Sequence, residues 1–505
     1  MNDDRNKKLV RRSSRLARVL GVAWIDEGGL KGSALVYGLV IMTVVAIVLT
    51  SIVGFVAAQT KYALRVHARE QAFQVADTGI QFYKWYLAHN TDGRTAQQIQ
   101  DFWTTGNPYG VASPYEVEYN DPSGSAIGKY RLEVTPPTLG STIVTVKSTG
   151  FAYRYPNDTR VLEVRFRRPS WSESAVLAND FMRFGSGTEV FGKIHSNKGI
   201  RFDGVAHNIV SSAVSTFIDP DHSVNEFGVH THKNPIDPLP PAAVPARTDV
   251  FEAGRKFPVA TVDFNGLLGD LSLMKTAAQA TNSYFLGTGA NNNGKKITLK
   301  TDGTYDVCKV NTFNSGYSIT KYTKNSGGGT CSTCSGSCAP TNYPIPDNGV
   351  IFVEGNAWVS GTINNKKVTI AAADISGGAA PSVYILNDIR YTNTDGRDII
   401  GIIGQNNIEI AYASESDLRI DAALLAQQGR VGREHYSSPK GLNPDSKSVI
   451  TVNGAIATNL RYGFAWTDGT GYTTRNLYYD NNLLYYPPPY FPTGTQYQMD
   501  LWEEK

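Results

Sequence analysis

Residues 32–60 read GSALVYGLVIMTVVAIVLTSIVGFVAAQT, bounded by Lys31 and Lys61. The run contains no Asp, Glu, Lys, Arg or His, and Leu35, Leu39, Ile41, Val44, Ile47 and Leu49 keep it apolar throughout. About 20 consecutive apolar residues suffice for a helix to cross the hydrocarbon core, because a helix satisfies its own backbone groups there. The reading is one membrane span, with the rest of the chain on one side of it. Before the run, Arg5, Lys7, Lys8, Arg11, Arg12, Arg15, Arg18 and Lys31 outnumber Asp3, Asp4, Asp26 and Glu27. By the positive-inside rule this end stays cytoplasmic and the large C-terminal part is exported. The run is too long for an ordinary signal-peptide core, and no small-residue cleavage site clearly closes it.

Behind the span, residues 59–89 contain no Pro and a single Gly, Gly79. Val66, Phe73, Ala76, Ile80, Tyr83 and Leu87 fall at alternating spacings of three and four, with Arg69 at one slot, which makes one apolar stripe on a helix. A helix over 33–89 would be about 85 Å long at 1.5 Å per residue. The expectation is that its first half lies in lipid and its second half packs on a soluble domain.

These residues carry a resemblance. A basic leader, Lys31-Gly32, then Ser33-Ala34-Leu35-Val36 opening a long apolar helix, resembles the N-terminus of type IV prepilins. Ala76-Asp77-Thr78-Gly79-Ile80 is similar to the Ala-Glu-x-Gly-Ile stretch of PilX-type minor pilins and related pseudopilins. The resemblance covers roughly residues 31–90. It implies cleavage between Gly32 and Ser33 by a prepilin peptidase and residence in the inner membrane before assembly with other pilin subunits. One departure is informative: major pilins carry Glu at the fifth position after the cut, where this chain has Tyr37. In the family that carboxylate pairs with a neighbouring subunit's N-terminal amine, so its absence points to a low-copy or tip subunit and leaves room for a protein that is never polymerised. The resemblance leaves open whether the machine is a pilus or a type II secretion system.

Further along, Tyr115–Tyr119, Lys129–Val134, Ile143–Ser148 and Val161–Phe166 alternate apolar and polar residues between turn signals, as strands of a half-buried antiparallel sheet do. From about residue 180 the runs shorten and hinge at Asn and Gly. Asn356, Asp388, Asn407, Gly429 and Gly454 are read as corners of repeating units, because Asn and Gly tolerate the backbone conformations that corners need. An irregular repeat with one corner per unit favours stacked rungs of a β-solenoid over an antiparallel sheet with Asn-Gly hairpins. Six prolines between Pro235 and Pro258 read as an extended linker. Residues 263–280 carry helical spacing through Leu267, Leu271, Met274 and Ala278. The aromatic tail (Tyr478, Tyr479, Tyr485, Tyr486, Tyr490, Phe491, Tyr497, Trp502) around Pro487-Pro488-Pro489 reads as a cap over the last rung, or as an exposed surface for glycan or protein.

The expected fold class is therefore α+β, a long transmembrane and amphipathic helix on a small antiparallel sheet, followed by a mainly-β, solenoid-like domain. The expected segments are leader 1–32, helix 33–90, sheet 91–175, first rungs 176–234, linker, helix and Cys loop 235–345, and rungs with the tail 346–505. With 48 basic and 45 acidic side chains, the net charge of +3 gives no electrostatic reason for a nucleic-acid partner.

Candidate chemistry is sparse. Cys331, Cys334 and Cys338, with Cys308 upstream, could hold tetrahedral zinc, but the exported side favours two disulfides in one of three connectivities. Asp219, Asp221, His222, His230 and His232 are close in sequence, and two His at i and i+2 point the same way on a strand. Their segment runs into the proline cluster, where such residues are ordinarily solvated, so no metal ligand is assigned. Asp374, Asp388, Asp395, Asp398, Asp417 and Asp421 could line a glycan-cleaving groove, which needs two opposed carboxyl groups. No nucleophile elbow, phosphate loop or zinc-protease motif is present. The chain is read as a non-enzymatic structural protein without a cofactor. The runner-up is a permanently anchored surface protein that binds or cleaves polysaccharide.

Overall fold

The structure, a computed structural model, describes residues 33–138, 141–264, 268–287, 294–310, 340–411, 414–435 and 446–505. Met1–Gln71 and Ala72–Lys505 are two compact units. One unbroken helix, α1 (Ser33–Thr91), runs through the end of the first unit into the second. Among the described residues it is the helix long and apolar enough to cross a membrane. Its apolar half is bare: Leu35, Ile41, Met42, Ile47 and Val53 are all exposed.

Within the second unit, the expected stripe buries Ala76, Ile80, Tyr83 and Leu87 completely, together with Ala72 and Val75. Val66, counted in the same stripe, is exposed and belongs to the first unit. The buried face packs on the antiparallel meander β1 (Tyr115–Asn120), β2 (Ala126–Thr135), β3 (Ile143–Ala152) and β4 (Arg160–Arg167), against Tyr130, Leu132, Val144, Val146, Leu162, Val164 and Phe166. The four expected strands are all present, slightly extended.

Two glycines set how closely helix and sheet approach. A Cβ on Gly79 would lie 2.5 Å from Ser148 Oγ, and one on Gly150 would lie 1.9 Å from the carbonyl oxygen of Ala72. Ser148 Oγ uses this proximity to donate to the Ala76 carbonyl at 2.7 Å. A short helix, α2 (Ala96–Thr104), stands in the segment read as sheet alone. Thr95 and Gln98 form its capping box, each side chain bonding the other's backbone N–H.

The mainly-β part is organised as parallel ladders. In one column, Ile351 aligns with Ile370, Ile402, Leu424 and Ile456, then with Val176, Ile194, Val210 and Arg255. A second runs through Ile297, Val359, Ile385, Ile410 and Arg433. A third aligns Ile389, Ile420, Val452, Leu477, Val190 and Ala206. The Ile456–Val176 step joins the segments 176–234 and 346–505, which read separately in sequence, into one ladder. Antiparallel Asn-Gly hairpins are not the pairing of these columns.

Alternation along the first column explains its unbroken apolar strands. Ile351, Ile370, Ile402, Leu424 and Ile456 share one core, while Phe352, Ala371, Ile403, Leu425 and Ala457 share another. The second core is covered by α3 (Leu268–Ala280), through the expected residues Leu271, Met274 and Ala278. Leu267 lies outside the described residues.

Three readings need correction. The corner residues do not share one corner. Asn356 and Asn407 do, their Oδ1 atoms accepting from Ser382 N and Arg430 N at 2.9 Å each, and Gly429 lies against Asn407 at the same corner. Asp388 instead accepts from Arg419 N, and Gly454 packs on Ala422 in a different column. Ala357, Val383, Ile408 and Val431 are the aligned positions, and they recur more evenly.

The proline-rich segment is no free linker either. Val250 and Phe251 are fully buried, Asp237 is enclosed by Arg247 and Arg255, and Arg255–Lys256 forms the last strand of the first column.

Nor does the aromatic tail cap the last rung. It crosses the flank of the ladder, where Thr369 Oγ1 donates to the Pro489 carbonyl and Phe491 enters the second core. It then returns to the first sheet as the strand Gln498–Glu504, antiparallel to β4. Unsatisfied edge groups on β4 are a sufficient reason for that return.

Candidate functional site

Ser33 opens α1, and Gly32 lies outside the described residues. Four hydroxyls within the apolar half of α1 are satisfied locally. Thr43 donates to the Val40 carbonyl, Thr50 to Ala46, Ser51 to Ile47 and Thr60 to Val56, at 2.7–2.8 Å. Each bond removes a polar group that hydrocarbon would penalise. Tyr37, at the position where major pilins carry Glu, is exposed on this helix.

The histidine-rich segment is gathered rather than solvated. Strands Thr216–Asp219 and Val224–Phe227 form an antiparallel hairpin, and Val229–His230 pairs in parallel with Ile200–Phe202. This places Asp219, His222, Glu226, His230 and His232 together. Asp219 and His230 are fully buried and Glu226 nearly so.

His230 Nε2 lies 3.4 Å from Asp219 Oδ2, and His222 Nδ1 is also 3.4 Å from that oxygen. Glu226 Oε1 is 3.2 Å from His222 Nε2 and 3.1 Å from His232 Nε2. Burial pushes the His230 imidazole below its ordinary range, against the opposing pull of Glu226. Glu226 was not singled out in the sequence; it is the partner that the hairpin register brings back to His222 and His232. Asp221 turns away, pairing with Arg183 and Arg461.

The other candidate carboxylates hold backbone. Asp398 accepts from the N–H groups of Lys366, Thr392 and Asn393, and Asp421 from Tyr391 N and Arg419 Nε. Asp374 and Asp395 fold back on the N–H groups of Ser376 and Arg397, and Asp417 opens the strand Asp417–Ala426. Cys308 is buried in the strand Thr304–Lys309, whereas Cys331, Cys334 and Cys338 lie outside the described residues. Of the tail aromatics, Tyr497 joins the helix–sheet core and accepts from Trp103 Nε1 at 3.1 Å, while Trp502 meets Phe73 edge-on. Tyr485 and Tyr486 remain half exposed under Arg165 and Lys367.

No protein family matches this sequence, and no curated protein matches it. Among solved structures, the chain is similar to the competence-associated pilin ComZ from Thermus thermophilus. The identity is 13%, the match covers 87% of this chain and 97% of that one, and the TM-score is 0.34.

Proposed function

We propose that this chain is a pilin-like subunit, held in the inner membrane by α1 before assembly and presenting a large β-rich head outside it. The carrying observation is α1 itself. One helix offers an exposed apolar half with four hydroxyls internally bonded, then a half buried on a four-strand meander. A lipid span and a bundle of like helices both suit the first half, since neither asks it for a polar partner. In this reading a prepilin peptidase cuts between Gly32 and Ser33, and Tyr37 leaves the subunit without an acidic assembly handle, fitting low-copy or tip use. The parallel ladders form the displayed part, a stack of rungs suited to contacting other subunits or a surface glycan or protein.

The test is fractionation of cells expressing the native chain. Sheared surface filaments are expected to contain it at well below the level of the major subunit. Its confinement to the membrane under conditions that release filaments would contradict the proposal.

A further inference from the structure

The Asp219–His230 contact is chemically odd. His230 Nδ1 faces the carbonyl oxygen of Phe227 at 3.2 Å, and a carbonyl only accepts, so Nδ1 carries the proton. In the neutral ring Nε2 then presents a lone pair, and it points at Asp219 Oδ2, another acceptor. Neither atom has a hydrogen-bond partner, nor does Glu226 Oε2, and all three are buried. Among the described residues no Lys or Arg pairs with Asp219 or Glu226; their charged contacts are to imidazoles alone. Burying two carboxylates without a Lys or Arg beside them is costly.

We propose that Asp219, His230 and His232 bind a first-row divalent transition cation, with Glu226 and His222 standing behind His232. Ligand atoms of Asp219, His230 and His232 already lie within 4.8 Å of one another, as do those of His222, Glu226 and His232. A tetrahedral ion with bonds of 2.0–2.1 Å holds its ligand atoms roughly 3.3 Å apart, near the 3.4 Å between His230 Nε2 and Asp219 Oδ2. A dication gives both facing lone pairs a common partner. Imidazole with carboxylate selects zinc-like ions over calcium or magnesium. The Phe227 carbonyl on Nδ1 is the outer contact that fixes a ligating ring's tautomer. The ion is held by three protein donors. It would tie the hairpin Thr216–Phe227 to the rung containing Val229–His230.

The test uses the full chain in detergent, stripped with a chelator and titrated with Zn2+, then with Co2+ as a spectroscopic probe. A Cys308→Ser, Cys331→Ser, Cys334→Ser, Cys338→Ser background removes the competing thiols. One equivalent of Zn2+ is expected in that background, with Co2+ giving visible bands but no thiolate charge-transfer band. His232→Gln, partly exposed and tolerant of the change, and Asp219→Asn are each expected to weaken Zn2+ by at least about 100-fold. Asp221→Asn, whose partners are arginines, is expected to leave binding unchanged. Failure of the thiol-free chain to bind Zn2+ at micromolar concentration, or equal binding by His232→Gln, would overturn the proposal.

Discussion

Gly150→Leu is expected to lift α1 from its sheet. The position on β3 lies under the helix, where even a Cβ would sit 1.9 Å from the carbonyl oxygen of Ala72 and 2.6 Å from the backbone nitrogen of Ala76. Both obstacles are main chain in a helix, so no rotamer change relieves them, and the whole helix must translate. That movement would also break the bond from Ser148 Oγ to Ala76 and open the layer containing Ile80, Tyr83 and Leu87. Overpacking typically costs 1–3 kcal/mol; with backbone on both sides, about 3 kcal/mol or more is expected here. Gly463→Ala serves as the control, since a Cβ there meets nothing within 4 Å. Denaturant melts of the two variants in detergent should separate widely, and coincident midpoints would refute the close approach.

Removing residues 498–505 is the second large perturbation. Gln498–Glu504 completes the first sheet beside β4, and Asp500 takes a bidentate contact from Arg165 (2.9 and 3.0 Å) and a further one from Arg167 at 3.1 Å. Truncation strips a row of ladder bonds, leaves two partly buried guanidinium groups without Asp500 and bares an edge. The expected result is loss of cooperative melting, or aggregation on expression. Asp500→Ala keeps the strand and removes the charge alone. It should cost about 2 kcal/mol, below the 3–5 kcal/mol of a fully buried pair because some water still reaches these groups. A truncated chain melting like the intact one would show that the tail does not hold the sheet.

Both perturbations act where sequence was least and most readable. The α1 stripe, the four strands and the α3 face follow from spacing, because each element meets its neighbour through its own periodicity. The Ala76-Asp77-Thr78-Gly79-Ile80 stretch was legible as a resemblance, and its physical content is the close approach at Gly79. The strand Gln498–Glu504 was not legible. Its alternation is weak, with Met499, Leu501 and Trp502 all partly exposed, and its partner is more than 300 residues away in the chain. The Ile456–Val176 step was hidden for the same reason: pairing between distant segments leaves no local signature.

The site was half visible. His230 and His232 at i and i+2 announced a shared direction, but the role of Glu226 depends on hairpin register. The mistake over the proline-rich segment came from composition, since prolines that rigidify a linker can equally shape a packed terminal rung.

The central claim, that this is a pilin-like subunit processed ahead of α1, is tested most directly at its N-terminus. The protein should be recovered from the membrane or filament fraction of its native host and its terminal peptide identified by mass spectrometry. The account predicts a mature chain beginning at Ser33, with or without a methyl group on its amine. An intact peptide running from Met1 through Gly32 into Ser33, in cells whose other prepilins are processed, would contradict it.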